Sequence, residues 1–314
     1  MLDLISFKEE FVSQCREWLC ESGPVDMKIE ERKVNKAQRG ELNGVLFKRD
    51  GKECAPTFYI EDFYKAYKDG TPIADLSHEA VDTAVRSSVM ADILAQNSLE
   101  MLGDPDFLRV RLLNKGRNKE YLKGIPFREL GAGFVFIAEI GCGEYGAVIT
   151  DALMEEYDMS VDEMFDTAIK NTAESFPAVL QDLGESVISD PEKCENLLDC
   201  PGGRAPAGAG PAFVLTNSRF FWGAGALFYP GVIERIHKII GKDFYVLPSS
   251  VHELILIAVE DQDPQQLSDL VRSANRSVVK DNEILADDLF ICESGKLSRV
   301  SFGGVIPARA SCVC

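Results

Sequence analysis

The chain has 314 residues, of which 46% are hydrophobic and 27% are charged, a composition typical of a soluble globular protein long enough to bury a sizeable core. It carries 33 Lys and Arg against 51 Asp and Glu, so its formal net charge is −18. Nucleic-acid backbones and anionic membranes are bound by basic surfaces, so this charge argues against both as partners.

Cysteine usage and the first residues indicate a cytoplasmic protein. The nine cysteines are an odd number that cannot pair completely within one chain, and in a protein of this type they are best explained as reduced thiols. Residues 1–11 have neither the basic nor the long apolar region of a secretory signal. No run of residues approaches the roughly 18 apolar positions of a membrane span.

Periodicity and turn residues predict helices alternating with short strands in the first half of the chain. The helices are predicted over 5–19, 61–68, 72–96 and 161–174. The strands are predicted over 25–34, 42–48, 55–60, 107–113, 133–140 and 147–150, with a polar turn over 35–40. Ser160 and Glu163 form a capping box, which marks the start of the last of these helices.

The second half begins with a change of composition. A helix is predicted over 178–187, and residues 189–211 are rich in Gly, Ala and Pro without apolar periodicity, which indicates a mobile surface loop or linker. Beyond this loop, strands are predicted over 213–216, 224–229, 244–247, 252–259, 289–292 and 297–302, and helices over 230–240 and 264–276. The last helix is expected to bury Leu267, Leu270, Val271 and Ala274.

These elements predict an α+β protein with mixed or largely antiparallel sheets and helices packed on them, and two subdomains are one possible arrangement. The expected organisation is an N-terminal α+β region over 1–187, a linker over 188–211, a C-terminal α+β region over 212–302 and a flexible tail over 303–314. The strand 252–259 is apolar on both faces, so we expect it at the centre of its sheet.

The link between strands 244–247 and 252–259 is the most promising polar site. Its residues Ser249, Ser250, His252 and Glu253 include the types of a nucleophile, a general base and an orienting carboxylate. Neighbours in a strand point to opposite faces, so His252 and Glu253 are not expected to orient one another, and no GxSxG elbow is present. The simpler interpretation is a serine-capped turn with a hydrogen-bonded histidine beside the core.

Other motifs are explained without catalysis. Residues 141–146 match the string GxGxxG, but a strand follows where a dinucleotide site needs a helix, which indicates a hairpin turn. His252 and Glu253 begin like a zinc-protease motif, but Leu256 stands where the second His is needed. The cations in 115–123 are interpreted as a solvated surface rather than an anion site.

Metal binding has little support in the sequence. The thiolates of Cys194, Cys200, Cys312 and Cys314 would suit zinc, but neither pair has CxxC spacing. His237 shares the apolar face of its helix and is interpreted as a core-edge residue. We therefore predict no cofactor and keep the four cysteines as a zinc hypothesis.

Several short stretches, taken together, carry a family resemblance. They are Lys33–Lys36, Ala55–Ile60 running into Phe63, Tyr64 and Gly70, then Phe213–Asn217, Gly223–Ala224, Tyr229–Gly231 and Tyr245–Glu253. Over nearly its whole length the chain resembles a bacterial family known only as a domain of unknown function, family 5688, common in anaerobic gut bacteria. The resemblance implies a cytosolic bacterial protein and supplies no activity. Within these stretches, the candidate ligand contacts are Asn35, Lys36, Thr216, Asn217 and Tyr245.

The first functional hypothesis is a non-enzymatic binding or regulatory protein that contacts an unknown protein or small molecule near Ser249, Ser250 and His252. The alternative is a hydrolase of unrecognised type that uses one of these serines with His252, oriented by a distant carboxylate. A weaker alternative is an acidic mimic of nucleic acid that binds a basic protein. A hydrogen bond between His252 and a serine would favour the hydrolase.

Overall fold

The computed structural model describes residues 1–52, 54–141, 146–200 and 210–302. The helices are α1 (Leu4–Ser22), α2 (Ile60–Lys68), α3 (Ile73–Met101), α4 (Asp151–Met154), α5 (Val161–Ser175), α6 (Leu183–Ile188), α7 (Val232–Ile240) and α8 (Pro264–Ser277). The strands are β1 (Met27–Lys36), β2 (Gly40–Arg49), β3 (Thr57–Tyr59), β4 (Leu108–Asn114), β5 (Phe127–Gly131), β6 (Phe134–Gly141), β7 (Gly146–Val148), β8 (Ala178–Asp182), β9 (Ala212–Asn217), β10 (Phe244–Pro248), β11 (Leu254–Ala258), β12 (Phe290–Glu293) and β13 (Lys296–Arg299). Short 3-10 helices cover Pro105–Phe107, Pro191–Lys193, Leu197–Asp199 and Gly223–Phe228.

The chain forms two compact units. Unit 1 contains residues 1–128 and 137–172, and unit 2 contains residues 129–136 and the chain from 173 onward. The segment that the sequence predicts as a linker, 188–211, lies in the range of unit 2, and two of the 3-10 helices fall within it. Residues 201–209 of that segment, and the tail 303–314, lie outside the described residues.

Unit 1 is built on the antiparallel sheet β1-β2-β3. Helix α1 begins after Asp3, whose side chain accepts the Ser6 N–H, and its apolar face packs into the core because apolar residues recur at helical spacing. The buried core of this part includes Phe7, Phe11, Cys15, Val45, Phe47, Ile60, Leu76 and Ala80. A further group of strands has the order β4-β6-β5, with β7 paired to β6.

Unit 2 is built on a six-stranded antiparallel sheet in the order β13-β12-β10-β11-β9-β8. β10 and β11 lie at its centre, and the position of β11 agrees with the prediction from its apolar sequence. On one face of the sheet, Tyr245 and Leu247 of β10 pack against Val271 of α8. Helix α8 begins after Asp263, whose carboxylate accepts the Gln265 N–H as an N-cap.

The predicted α+β class is confirmed, because the described chain combines α-helices with antiparallel sheets. The capping box is also confirmed: the Glu163 N–H donates to Ser160 Oγ at 3.3 Å, and the Ser160 N–H donates to the Glu163 carboxylate at 2.9 Å. Around the GxGxxG string, Gly141 pairs with Gly146 in the antiparallel β6–β7 hairpin. A strand therefore follows the string, and residues 142–145 lie outside the described residues.

One strand was predicted as part of a helix, and another strand was not predicted. Residues 178–182 form β8 rather than the start of a helix, because pairing with β9 buries Leu180 and Gln181. Local sequence does not carry this signal, since the partner strand lies some 30 residues further along. The strand β5, residues 127–131, was not predicted.

Two further corrections affect the polar link. Residues 223–228 form a 3-10 helix rather than a strand. β11 begins at Leu254, so His252 and Glu253 lie in the turn before the strand. The alternation of strand faces therefore does not set the directions of these two side chains, which depend on the turn instead.

Substitutions of two leucines in unit 2 test which side chains are buried in its core. Leu256 of β11 is fully buried, whereas Leu270 of α8, which the sequence places on the inner face, is 57% exposed. We expect Leu256→Ala to lower the free energy of unfolding by about 2–5 kcal/mol, because it removes buried methyl groups and leaves a cavity. The matched control Leu270→Ala should change it by no more than about 0.5 kcal/mol. Urea unfolding followed by Trp222 fluorescence in a Trp18→Phe background measures the free energy of unfolding of both variants. Equal losses of stability in the two variants would contradict the burial assigned to Leu256 and Leu270.

Candidate functional site

The candidate site lies in unit 2, where two connections meet. One is the link between β10 and β11, which contains Ser249, Ser250, His252 and Glu253. The other is the loop 217–223 after β9, which we call the aromatic loop because it carries three consecutive aromatic residues. Together with Glu283, these residues are called the His252 site below.

The two serines hold the link in its turn. The Ser249 hydroxyl donates to Glu253 Oε1 at 3.1 Å, and the Ser250 hydroxyl oxygen accepts the His252 N–H at 3.0 Å. The backbone closes the same turn, because the Ser250 N–H donates to the Glu253 carbonyl at 3.2 Å. Side-chain hydroxyls are used here as Ser residues commonly are in turns, to satisfy backbone and neighbouring polar groups.

The His252 imidazole is oriented by backbone. Its Nδ1 accepts the Trp222 N–H at 3.1 Å, so in the neutral ring the proton resides on Nε2. Nε2 lies 3.9 Å from Glu283 Oε1, which is longer than a hydrogen bond. Neither ring nitrogen has a hydrogen bond to Ser249 or Ser250 within the part of the chain that the structure describes.

Burial lowers the pKa of His252 below its ordinary value of 6.5. The carboxylates of Glu283 and Glu253 oppose this shift, and the nearby Lys280 ammonium adds to it. The ring also packs against Phe221, with centroids 5.0 Å apart, and against Trp222 at 5.6 Å. Desolvation by these apolar neighbours disfavours the charged imidazolium, so the ring is neutral at pH 7.

Gly223 allows the two connections to approach closely. A Cβ at this position would lie 2.2 Å from Thr216 Oγ1 and 2.7 Å from the His252 carbonyl oxygen, well inside van der Waals contact. In the space that the glycine leaves, the Thr216 hydroxyl donates to that carbonyl at 2.8 Å. The end of β9 is thereby joined to the link that carries His252.

Asn217 shapes the aromatic loop. Its Nδ2 donates to the Phe221 carbonyl at 3.0 Å, and its Oδ1 accepts the Arg219 N–H at 3.0 Å. Within the loop, Phe220 and Trp222 have φ values of 52° and 53°, in the left-handed region that costs a side-chain-bearing residue energy. Residues 220–222 are all half-buried. The hydrogen bonds therefore hold a strained loop that keeps three aromatic side chains partly exposed.

The candidate ligand contacts fall in different places. Thr216 and Asn217 come to the His252 site, where their side chains bond backbone groups. Tyr245 is 7% exposed and lies in the apolar cluster beside α8. Asn35 and Lys36 belong to unit 1, at the end of β1, where the Lys36 ammonium lies 5.5 Å from the centroid of the Tyr59 ring.

The zinc hypothesis gains no geometric support. The Cys194 thiol donates to the Asp190 carbonyl at 3.5 Å, and the Cys200 thiol to Glu195 Oε1 at 3.3 Å. Cys312 and Cys314 lie outside the described residues. Among residues 1–52, 54–141, 146–200 and 210–302, no group of three or more His, Cys, Asp or Glu is arranged to hold a metal ion.

The aromatic loop and Glu283 were not predicted as parts of the site, and Gly223 was named only within the family resemblance. Three successive aromatic residues followed by a glycine directly after a strand were a usable signal, because aromatic side chains in loops are unusual unless they pack or bind. Glu283 carried no signal, since it lies 30 residues beyond the nearest polar residue of the link and reaches it only through the fold. Its carbonyl accepts the Val251 N–H at 2.8 Å.

Comparisons with known proteins give a family and nothing more specific. A sequence model described as a family of unknown function, DUF5688, matches residues 8–294. No curated protein matches the chain, and no solved structure does. In the described part of the chain, no helix has the length and apolarity needed to cross a membrane.

Gly223 provides the first test of the site. Gly223→Ala places a methyl group against Thr216 Oγ1 and the His252 carbonyl, so we expect the free energy of unfolding to fall by about 1–3 kcal/mol. Gly210→Ala is the matched control, because its added Cβ would meet only Asp182 Oδ2, at an ordinary 3.5 Å. Urea unfolding followed by tryptophan fluorescence measures the difference. A Gly223→Ala variant as stable as the control would show that the close approach is absent.

The titration of His252 provides the second test. We expect the pKa of His252 in the folded chain to lie below 6.5. The unfolded chain then binds the proton more readily, so the contribution of His252 to the free energy of unfolding is full above about pH 6.5. This contribution is lost as the pH falls through the pKa of the folded chain. Glu283→Gln should lower the pKa further and Lys280→Gln should raise it. NMR titration of the histidine Cε1 protons, assigned with His252→Asn, measures all three, and a pKa above 6.5 would contradict the geometry.

Proposed function

Because the chain belongs to this family of unknown function, DUF5688, whose description assigns no activity, we propose a function from the His252 site alone. The protein is a non-enzymatic binding or accessory protein that contacts a protein partner through the aromatic loop. One observation carries the proposal: residues 220–222 present three half-buried aromatic side chains on a loop that His252 and Asn217 hold in place.

The composition of the loop suits a protein interface. Aromatic residues and Arg are enriched in the centres of such interfaces, where they supply most of the binding energy. Arg219 precedes the aromatic residues, and its guanidinium lies 5.7 Å from the centroid of the Phe176 ring. The combination of a planar cation and adjacent aromatic rings is therefore available at one place on unit 2.

The strain in the loop supports the same proposal. Left-handed backbone at Phe220 and Trp222 costs on the order of 1–3 kcal/mol for each residue. Bonds from Trp222 to His252 and from Asn217 to Phe221 offset part of this cost. A loop that is ordered before binding loses less conformational entropy when a partner docks, and strain of this kind clusters at functional sites.

The hydrolase alternative has less support. A serine nucleophile needs a base within hydrogen-bond reach, whereas His252 Nδ1 is occupied by the Trp222 N–H and its Nε2 lies toward Glu283. Ser249 donates to Glu253, and Ser250 accepts from backbone. The polar groups of the link thus satisfy one another, as in a structural turn.

The chemistry of the partner and the location of the protein are part of the proposal. A net charge of −18 favours a basic partner surface through complementary electrostatics. A cytoplasmic location fits the described cysteines, which are Cys15, Cys20, Cys54, Cys194, Cys200 and Cys292 and are all free. The nucleic-acid mimic remains a prediction from the charge alone.

A capture experiment with matched variants tests the proposal. Arg219→Ala with Phe220→Ala removes an exposed cation and a ring that makes no ring contact in the described structure, so the fold should survive. The control is Arg276→Ala with Phe302→Ala, which removes the same groups at exposed positions elsewhere in unit 2. We expect a protein cross-linked to the native chain in host lysate to be retained by the control and lost with the loop variant.

Reconstitution with that protein after purification then gives the affinity. A central interface position costs about 2 kcal/mol or more on truncation, so the loop variant should bind at least about 30-fold more weakly than the control. Equal binding by both variants would contradict the proposal.

Hydrolysis of ester, amide or phosphoester substrates that disappears in both Ser249→Ala and His252→Ala would establish the hydrolase instead.

A further inference from the structure

A separate polar cluster lies in unit 1, where the tip of the β1–β2 hairpin meets the turn after β4. Gln38, at the tip, donates its backbone N–H to Asn118 Oδ1 at 2.7 Å, and Asn118 Nδ2 donates to Gln38 Oε1 at 3.1 Å. Both side chains are buried, at 5% and 2% exposure. We call this contact and its flanking cations the amide junction. It joins two segments that lie 80 residues apart in sequence.

The residues that flank the paired amides are cationic. Lys36 and Arg39 flank Gln38 in the hairpin, and Lys119 follows Asn118 in the turn. The bonds between Gln38 and Asn118 bring the backbone positions of these cations together in unit 1. They do so in a chain whose formal net charge is −18.

Nearby carboxylates leave part of this charge uncompensated. Asp62 pairs with Arg39 at 2.6 Å, Glu41 with Lys33 at 3.1 Å and Glu120 with Lys123 at 2.5 Å. Lys36 and Lys119 have no carboxylate partner among the residues that the structure describes. Lys36 is instead held against the face of Tyr59, 5.5 Å from the ring centroid, and the Arg39 guanidinium lies 5.6 Å from the same centroid.

Gln38 supplies an independent observation that indicates a ligand. Its Nε2 is buried and has no hydrogen-bond partner in the described chain, although its Oε1 is used by Asn118. An unsatisfied buried donor is costly, and native proteins rarely keep one without a water or ligand to accept from it. The amide junction therefore contains a donor whose hydrogen bond is unsatisfied within the described chain.

We propose that the amide junction is a binding site for a phosphate group. Lys36 and Lys119 supply point charges from two segments, Gln38 Nε2 supplies a neutral donor, and Arg39 lies beside them, partly neutralised by Asp62. A phosphate carries multiple negative charges and several acceptor oxygens, so it can accept from donors that converge from different directions. The segment 115–123, which the sequence predicts as a solvated surface, is bonded through Asn118 to the tip of the hairpin in the folded chain.

The test uses the full-length chain and three probes at constant ionic strength. Isothermal titration calorimetry with pyrophosphate is expected to show saturable binding, which Lys36→Gln with Lys119→Gln weakens on the order of tenfold or more because two exposed charges are removed. Lys68→Gln is the matched control, since Lys68 also lies over a tyrosine ring, 5.0 Å from the Tyr64 centroid. It should leave the affinity unchanged.

A phosphoserine peptide and succinate complete the set of probes. Tighter binding of pyrophosphate than of the peptide assigns the phosphate to a free phosphorylated metabolite, and the reverse order assigns it to a phosphorylated protein. Succinate bound as tightly as pyrophosphate would overturn the phosphate assignment. The absence of saturable pyrophosphate binding would also overturn it. So would a loss of affinity in Lys68→Gln equal to that in the double lysine variant.

Side-chain NMR tests the contribution of Gln38 directly. The Gln38 Nε2 amide protons, identified with Gln38→Glu, should shift on saturation with pyrophosphate in the native chain. All substituted lysines are exposed, so the lysine variants should keep the far-ultraviolet circular dichroism of the native chain. Gln38 amide protons that do not move at saturation would overturn the site.

Discussion

The close packing of Gly223 against the end of β9 is the constraint on which the His252 site depends. Only a residue without a Cβ leaves room for the Thr216 hydroxyl to reach the His252 carbonyl. That bond fixes the link between the two central strands of the sheet in unit 2. Once the link is fixed, His252 Nδ1 can accept the Trp222 N–H, and the aromatic loop is held in a backbone conformation that it would not adopt alone.

The polar residues of the link have hydrogen-bond partners within the turn and the aromatic loop. Two serines, a histidine and a glutamate lie within five positions of one another, yet each forms a bond that stabilises the turn or the loop. Burial keeps the imidazole neutral, which lets it act as an acceptor for a backbone N–H. Function depends on how groups are arranged in a site, and in this site the polar groups support an aromatic surface.

Net charge describes the whole chain and says little about a particular surface. Acidic residues outnumber basic ones, and that excess argues against extended polyanions as partners. The amide junction in unit 1 nevertheless joins two distant segments that carry cations, and it contains a buried donor. A local field is set by the few charges within a Debye length, so an acidic protein can carry a small anion site.

The sequence alone determined the α+β class, most helices, the central position of β11 and the capping box at the start of α5, because periodicity and capping are encoded by neighbouring residues. It also identified Ser249, Ser250, His252 and Glu253 as one polar link. Tertiary structure decided the rest. β8 became a strand only because β9 was available to pair with it.

Both proposed sites likewise depend on contacts between residues that are distant in the sequence. Trp222 lies 30 residues before His252 and Glu283 lies 31 residues after it, and Gln38 reaches Asn118 across 80 residues. The residues of such contacts are separated by whole strands and helices, and their meeting depends on how those elements pack. Local sequence specifies turns, caps and faces, whereas a site built from several segments exists only after the long-range packing is complete.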